Sequence, residues 1–253
     1  MRVLEAFTTE RPEMVLAEVA RRAGMDNATA FRLLNTFVML GYVEKVPGSR
    51  EFRLTLKCLD LGFNAIARSD MRALARPVLR ALVGEVNEAA SVGVLEGADV
   101  LYVERIQAGL TRLGVDIRVG TRVPVYSTAI GHAIAAFLPR DAQLRILNER
   151  PRIKLTETTP TETDVLLARF DTARARGYAL SDGETVSGLR VLSAPVLDPD
   201  GAPVAGLSVA APGFRMPLRD FEQATAEPVM AAARALGRAL QASGGVAAQK
   251  RAS

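Results

Sequence analysis

An α+β chain in two parts is expected from this sequence: a small helical N-terminal domain with a hairpin, and a larger domain built on an antiparallel sheet. Three observations lead there. Two short helical stretches meet at Gly24 and run directly into a hairpin signal. A single apolar helical stripe, from Leu56 to Asp70, joins this part to the rest. Beyond Met71, two hairpin signals are interleaved with helical segments, which places an antiparallel sheet under helices on one face or at its edges. The domains expected are residues 1–55, a linker helix 56–70, a domain 71–242 and a flexible tail 243–253 rich in Gly, Ala and Ser.

In the first part, Leu16 to Arg22 carries Leu16, Val19 and Ala20 on one side, and Gly24 follows. A second helix runs from about Ala28 to Leu40, with Ala30, Leu33, Leu34, Phe37 and Leu40 as its inward stripe. Ala20 is small enough for two helices to touch, Gly24 tolerates the positive φ of the turn, and Asp26 or Asn27 can cap the second helix. Residues 41–46 then read as a strand, Pro47-Gly48-Ser49-Arg50 as a turn and residues 51–54 as a second strand. An αα-hairpin of a helical bundle is the alternative for the two helices alone. The hairpin that follows favours a winged helix-turn-helix, a DNA-binding unit. Opposite the inward stripe lie Asn27, Ala28, Thr29, Phe31, Arg32, Asn35 and Thr36, the expected face for operator DNA. Arg32 can grip a guanine or a phosphate, Asn35 an adenine, and Thr29 a phosphate or a thymine methyl. Ser49 and Arg50, at the wing tip, can reach the phosphate backbone. Charge adds little, since residues 1–55 hold eight Lys/Arg against seven Asp/Glu.

In the second part, a helix spans Met71 to Val86, interrupted at Pro77. A hairpin covers residues 91–106, a further strand Leu113 to Ile117, and a helix Ala129 to Phe137. Another helix, Thr163 to Arg176, ends at Gly177. The Asp198-Pro199-Asp200-Gly201 turn sets the second hairpin, and Leu218 to Gln241 is helical.

Composition bounds the chemistry. With 49% apolar and 24% charged residues the chain is an ordinary globular protein, and a cytoplasmic location is the default expectation. No apolar run reaches about 18 residues, so no membrane segment is expected. There is one cysteine, Cys58, and one histidine, His132. No disulfide, multi-histidine metal site or cofactor is expected, and a triad hydrolase would have to route through His132 alone. Cys58 reads as a small buried hydrophobe and His132 as a structural or pocket residue. Glu184 and Asp182 as an acid/base pair would lack a nucleophile. Arg105, Arg118, Arg122 and Arg190 read as surface or fold-stabilising residues, with Arg190 the first choice among them for a ligand clamp.

Five blocks carry a family resemblance: LAEVARRAGMDNATAFRLLNTFVMLGYVEK, FRLTLKCLDLG, VGTRVPVYSTAIGHAIAAF, ARARGYALSDGE and GLRVLSAPVLDPDGAPVAGLSVAAP. In content and order they resemble the IclR family of bacterial transcriptional regulators. FRLTLKCLDLGF and VLYVERIQAG look most like its aromatic-acid branch, the protocatechuate and hydroxybenzoate regulators. Two features depart from the pattern: few residues precede VLEAF, and His132 stands where the family often has Lys or Arg. The resemblance implies a winged helix, a linker helix and a GAF- or profilin-like effector domain, working as a homodimer or dimer of dimers. It further implies a small organic acid held between the loop-helix Thr128, Ala129, Ile130, Gly131 and a far wall of Ser181, Asp182, Arg190, Val191, Ser208 and Ala210. The start of that helix favours a carboxylate, and the apolar Val191 and Ala210 suit an aromatic body. An enzyme domain with an appended DNA-binding module is the alternative, but it lacks a nucleophile–base–metal set. A DNA-binding architectural protein, whose large domain only oligomerises, would have no pocket.

Overall fold

The structure is a computed structural model and describes residues 1–8, 10–61, 71–108 and 118–243. The chain forms two compact units, Met1–Arg68 and Ser69–Ser253.

The first unit holds α1 (Arg2–Glu5), β1 (Glu13–Val15), α2 (Leu16–Ala23), α3 (Asn27–Met39), β2 (Val43–Lys45) and β3 (Glu51–Leu54). Gly24 closes α2 with φ 65°, a left-handed conformation that a side chain would strain. Asp26 rather than Asn27 caps α3, accepting the Thr29 N–H at 2.8 Å. Ala30 and Leu34 are fully buried, and Leu33 and Phe37 pack against the same core. Leu40 departs from the expected stripe and is 50% exposed. It stands one residue past the helix, where the chain turns at Gly41 with φ 77°. The hairpin gains a third strand, in the order β1-β3-β2. With three residues, β1 is too short to show an alternating pattern in sequence. Arg53, on the central strand, ties the sheet together by donating to Glu13 at 3.1 Å and to Glu44 at 2.6 Å. Of the linker, residues 58–61 are helical, and 62–70, with Phe63 and Ile66, lie outside the described residues.

The second unit contains α4 (Met71–Val86), β4 (Ala89–Glu96), β5 (Asp99–Ile106), β6 (Arg122–Pro124), α5 (Ala129–Ala135), α6 (Arg140–Asn148), α7 (Thr163–Arg176), β7 (Ala179–Asp182), β8 (Leu189–Leu197), β9 (Pro203–Pro212) and α8 (Leu218–Ala242). Instead of being interrupted, α4 runs through Pro77. Burial of Met71, Ala75, Leu79 and Leu82 against the sheet outweighs the lost backbone bond. The expected strand at 113–117 lies outside the described residues, as does the tail beyond Ser243.

Six antiparallel strands form one sheet, in the order β6-β5-β4-β9-β8-β7. Helices cover both faces, not one. Leu192, Ala194, Leu207 and Val209 face α4 and α8 in one core. Val100, Tyr102, Ala179 and Val191 face α5 and α7 in another. Strand β9 is buried at every position from Ala205 to Pro212, so neither of its faces can be left to water. Among the described residues no helix is long and apolar enough to cross a membrane, and no group of acidic, His or Cys side chains could hold a metal.

Candidate DNA interface and effector site

The outward face of α3 is built by its own periodicity. With Ala30 and Leu34 turned into the core, Ala28, Phe31, Arg32 and Thr36 stand exposed, Asn27 is exposed at the first helical position, and Thr29 and Asn35 are half-buried at the flanks. Phe31 is 48% exposed, an apolar ring held in solvent on the side opposite the core. Two of the expected hydroxyl contacts are already engaged. The Thr29 hydroxyl donates to Asp26 at 2.7 Å and the Thr36 hydroxyl to the Arg32 carbonyl at 3.0 Å. The bonds from Thr29 hold the Asp26 carboxyl below its ordinary pKa, so the cap is charged at neutral pH. At the wing tip Ser49 accepts the Glu51 N–H at 2.9 Å and shapes the turn, while Gly48 takes the left-handed conformation at φ 76°. Arg50 is exposed beside it.

The second candidate site lies on the sheet face under α5. Every residue of α5 is buried. It lies flat because Gly93 and Gly206 leave room: a Cβ at Gly206 would stand 2.6 Å from Ile130 Cγ1, and one at Gly93 would stand 3.1 Å from Ile130 Cδ1. Beside this contact the strand register lines up a polar row. Arg105 pairs with Ser91, Ser91 with Ser208, and Ser208 with Ser193, across β5, β4, β9 and β8. Arg105 Nη1 donates to Ser91 Oγ at 2.9 Å. Its Nε is buried without a partner, and so is Ser193 Oγ. Buried unpaired polar atoms cost roughly 1–3 kcal/mol each, so the row has unused bonding capacity at both ends. Tyr102, on the neighbouring row, interacts with Ser208, and burial pushes its phenol up to about 12, so it stays protonated. Burial also pulls the Arg105 guanidinium down from its ordinary value, an effect that Tyr102 opposes.

The expected effector residues divide between the two faces. Ser181, Val191 and Ala210 form the next row on the α5 side, flanking Ser208. Asp182 and Arg190 do not join them. They pair with each other and with Ala211, one residue along each strand, and so point to the α4/α8 side. There Arg190 donates to Asp182 at 3.0 Å and to the Met216 carbonyl, a structural clamp on the sheet edge. The start of α5 is in part already bonded. The Gly131 N–H is committed to Thr128 Oγ1 at 3.2 Å, and the Thr128 hydroxyl to the Pro124 carbonyl at 2.8 Å. Neither is a free donor for an acid. Ala129 and Ile130 are buried beside them.

The acid/base candidates are engaged elsewhere. Glu184 pairs with Arg169, and Asp182 with Arg190. His132 Nε2–H donates to the Tyr126 carbonyl at 2.7 Å, its ring meets the Phe170 edge, and burial pulls its pKa down to about 4. Cys58 Sγ–H donates to the Tyr42 carbonyl at 3.3 Å, and burial raises its pKa, away from a reactive thiolate. Arg105 is the residue that sequence reasoning passed over. From the Gly97-Ala98 turn, regular pairing would set Glu104 opposite Ser91. A bulge at Val103 shifts the register by one and puts Arg105 there instead.

Comparison with known proteins agrees with this architecture. A family model described as Bacterial transcriptional regulator IclR C-terminal matches residues 63–238. A second, the IclR helix-turn-helix domain, matches residues 1–47. The chain is 35% identical over 213 residues to the HTH-type transcriptional regulator KdgR of Escherichia coli, covering 84% of this chain and 80% of that protein. It is 30% identical over 235 residues to the Pca regulon regulatory protein of Pseudomonas putida, covering 92% and 80%. A crystal structure of a protein from Rhodococcus sp. RHA1, assigned there as a transcriptional regulator, superposes with a TM-score of 0.82 at 33% identity, covering 95% of each chain. The regulators among these relatives and the two matched domains lead to one conclusion: this chain belongs to the IclR family of bacterial transcriptional regulators, with an N-terminal helix-turn-helix for DNA and a C-terminal effector domain.

Proposed function

We propose that the chain controls transcription in response to a small carboxylic acid, aromatic rather than aliphatic, and that it does so as a homodimer or dimer of dimers. In this reading α3 enters the major groove with Asn27, Ala28, Phe31, Arg32, Asn35 and Thr36, while Ser49 and Arg50 carry the wing to the backbone. The observation that carries it is the α3 face itself: Phe31 and Arg32 exposed side by side, opposite a fully buried Ala30 and Leu34. For the effector, the support is the mixed character of the sheet face. Ser208 and Ser181 lie among Val191, Ala210 and Ile130, polar groups for a carboxylate or hydroxyl inside walls that desolvate a ring. With 30% identity to a regulator of the Pca regulon and 35% to KdgR, the aromatic preference rests on this sheet face and not on either relative.

Gel shifts on DNA selected by the protein from a random pool test both halves. Arg32→Ala should weaken binding by about 1–3 kcal/mol if Arg32 reads a base. Adding 4-hydroxybenzoate or protocatechuate should change the affinity of the wild type, and pyruvate should not. Unchanged affinity in both Arg32→Ala and Asn35→Ala overturns the docking. A response to pyruvate alone overturns the aromatic effector.

A further inference from the structure

The polar row under α5 has a direction. At one end stands a guanidinium, held at Ser91 by one nitrogen and with its Nε unpaired. At the other stands Ser193, fully buried, its hydroxyl unpaired. Ser208 lies between them. On one flank of the row are Ala210 and Val191, and on the other Ile130 fills the space over Gly93 and Gly206. The row is therefore a polar line with apolar sides, positive at one end and neutral at the other. Such a line fits a flat or extended acid lying along it, not a compact ion.

We infer that this row is the acid-recognition element of the domain: Arg105 takes the effector's carboxylate above Ser91, and Ser193 takes a second polar group at the opposite end. The assignment rests on the reading that the domain binds a small acid, and it puts Arg105 in place of Arg190 as the anion's charged partner. The chemistry follows from the donors. Arg105 Nε and a neighbouring nitrogen form a fork that two carboxylate oxygens can accept from. Ser91 and Ser193 stand two strands apart, about 10 Å between backbones. A benzene ring with a carboxylate and a para hydroxyl spans that gap once a hydrogen bond is added at each end. An acid with no group at its far end leaves the Ser193 hydroxyl unpaired, so the row selects hydroxy acids over plain ones.

Calorimetric titration of the full chain with 4-hydroxybenzoate, benzoate and D-gluconate tests this. 4-Hydroxybenzoate should bind more tightly than benzoate. Arg105→Gln should lose tenfold or more for whichever acid binds, Arg105→Lys should recover part of that, and Arg190→Gln should change nothing. Ser193→Ala should erase the preference for 4-hydroxybenzoate while leaving benzoate as it was. Thermal melts identify any variant that fails to fold, and the Ser193→Ala comparison, made between two ligands on one protein, does not depend on Arg105. If an acid binds and folded Arg105→Gln binds it equally well, the row is wrong although the domain still senses an acid. If D-gluconate alone binds, and needs Arg105, the row stands and the aromatic effector falls. If none of the three binds, both fall.

Discussion

His132 shows how burial, helped by the nearby Arg169 charge, can write a pH dependence. Its imidazole is neutral in the fold, with a pKa near 4 against 6.5 for the free side chain. Between those values the unfolded chain takes up a proton that the folded protein refuses. Stability therefore rises with pH across that window and is lost as pH falls through it, about 2 kcal/mol from pH 7.5 to pH 5. Glu184 acts in the opposite sense, because burial raises its carboxyl and its ionisation in the fold costs stability as pH rises. The histidine is thus best isolated by difference. Urea titrations at both pH values should show a smaller loss for His132→Gln than for the wild type, and equal losses would count against a neutral buried imidazole. The position of His132 among apolar neighbours was legible in the sequence. The roles of the arginines were not. Arg190 was the natural clamp by proximity to Val191, yet proximity along a strand means the opposite face, and β7–β8 pairing turns Arg190 and Asp182 away together. Arg105 was hidden for the mirror-image reason, since the bulge reverses the face that simple alternation assigns to it.

Elements with a long period were easy to read, and those without one were not. The helices α3, α7 and α8 are found within a residue or two of the expected limits, because thirteen, fourteen and twenty-five residues show a stripe several times over. Strand β7, four residues long, and helix α6, with only Gln143 and Leu147 buried, carry too little pattern to be seen. The two-faced cover of the sheet was missed because Gly93 and Gly206 look like gaps in strands. They are seats for Ile130 and Ile134, and they set how closely α5 approaches. Gly206→Ala puts a methyl 2.6 Å from Ile130. Overpacking of this kind typically costs about 1–3 kcal/mol. The variant should melt earlier than the wild type and bind acid less tightly, since α5 must rise from the sheet. A variant with wild-type melting and wild-type affinity would show that α5 has slack.

The proposed dimer needs apolar side chains that the single chain leaves in water. Leu56, Leu59 and Leu61 are exposed at the start of the linker, and in the proposed dimer they belong to the association surface. Sedimentation at micromolar concentration should show a dimer or larger species, and Leu59→Glu should shift it towards monomer. A wild-type monomer would sink the proposal, and with it the two-fold symmetric operator that a dimer reads. The bulge at Val103 carries a consequence for the ancestry of such sensors. Removing that one residue would restore regular pairing and leave Glu104 opposite Val92 and Arg105 opposite Ser91, each on the face it occupies now. The extra residue is absorbed where it stands, and the charge offered under α5 does not depend on it. A one-codon gain or loss at this position is thus an evolutionary step that a lineage could take in either direction without exchanging one class of signal for another.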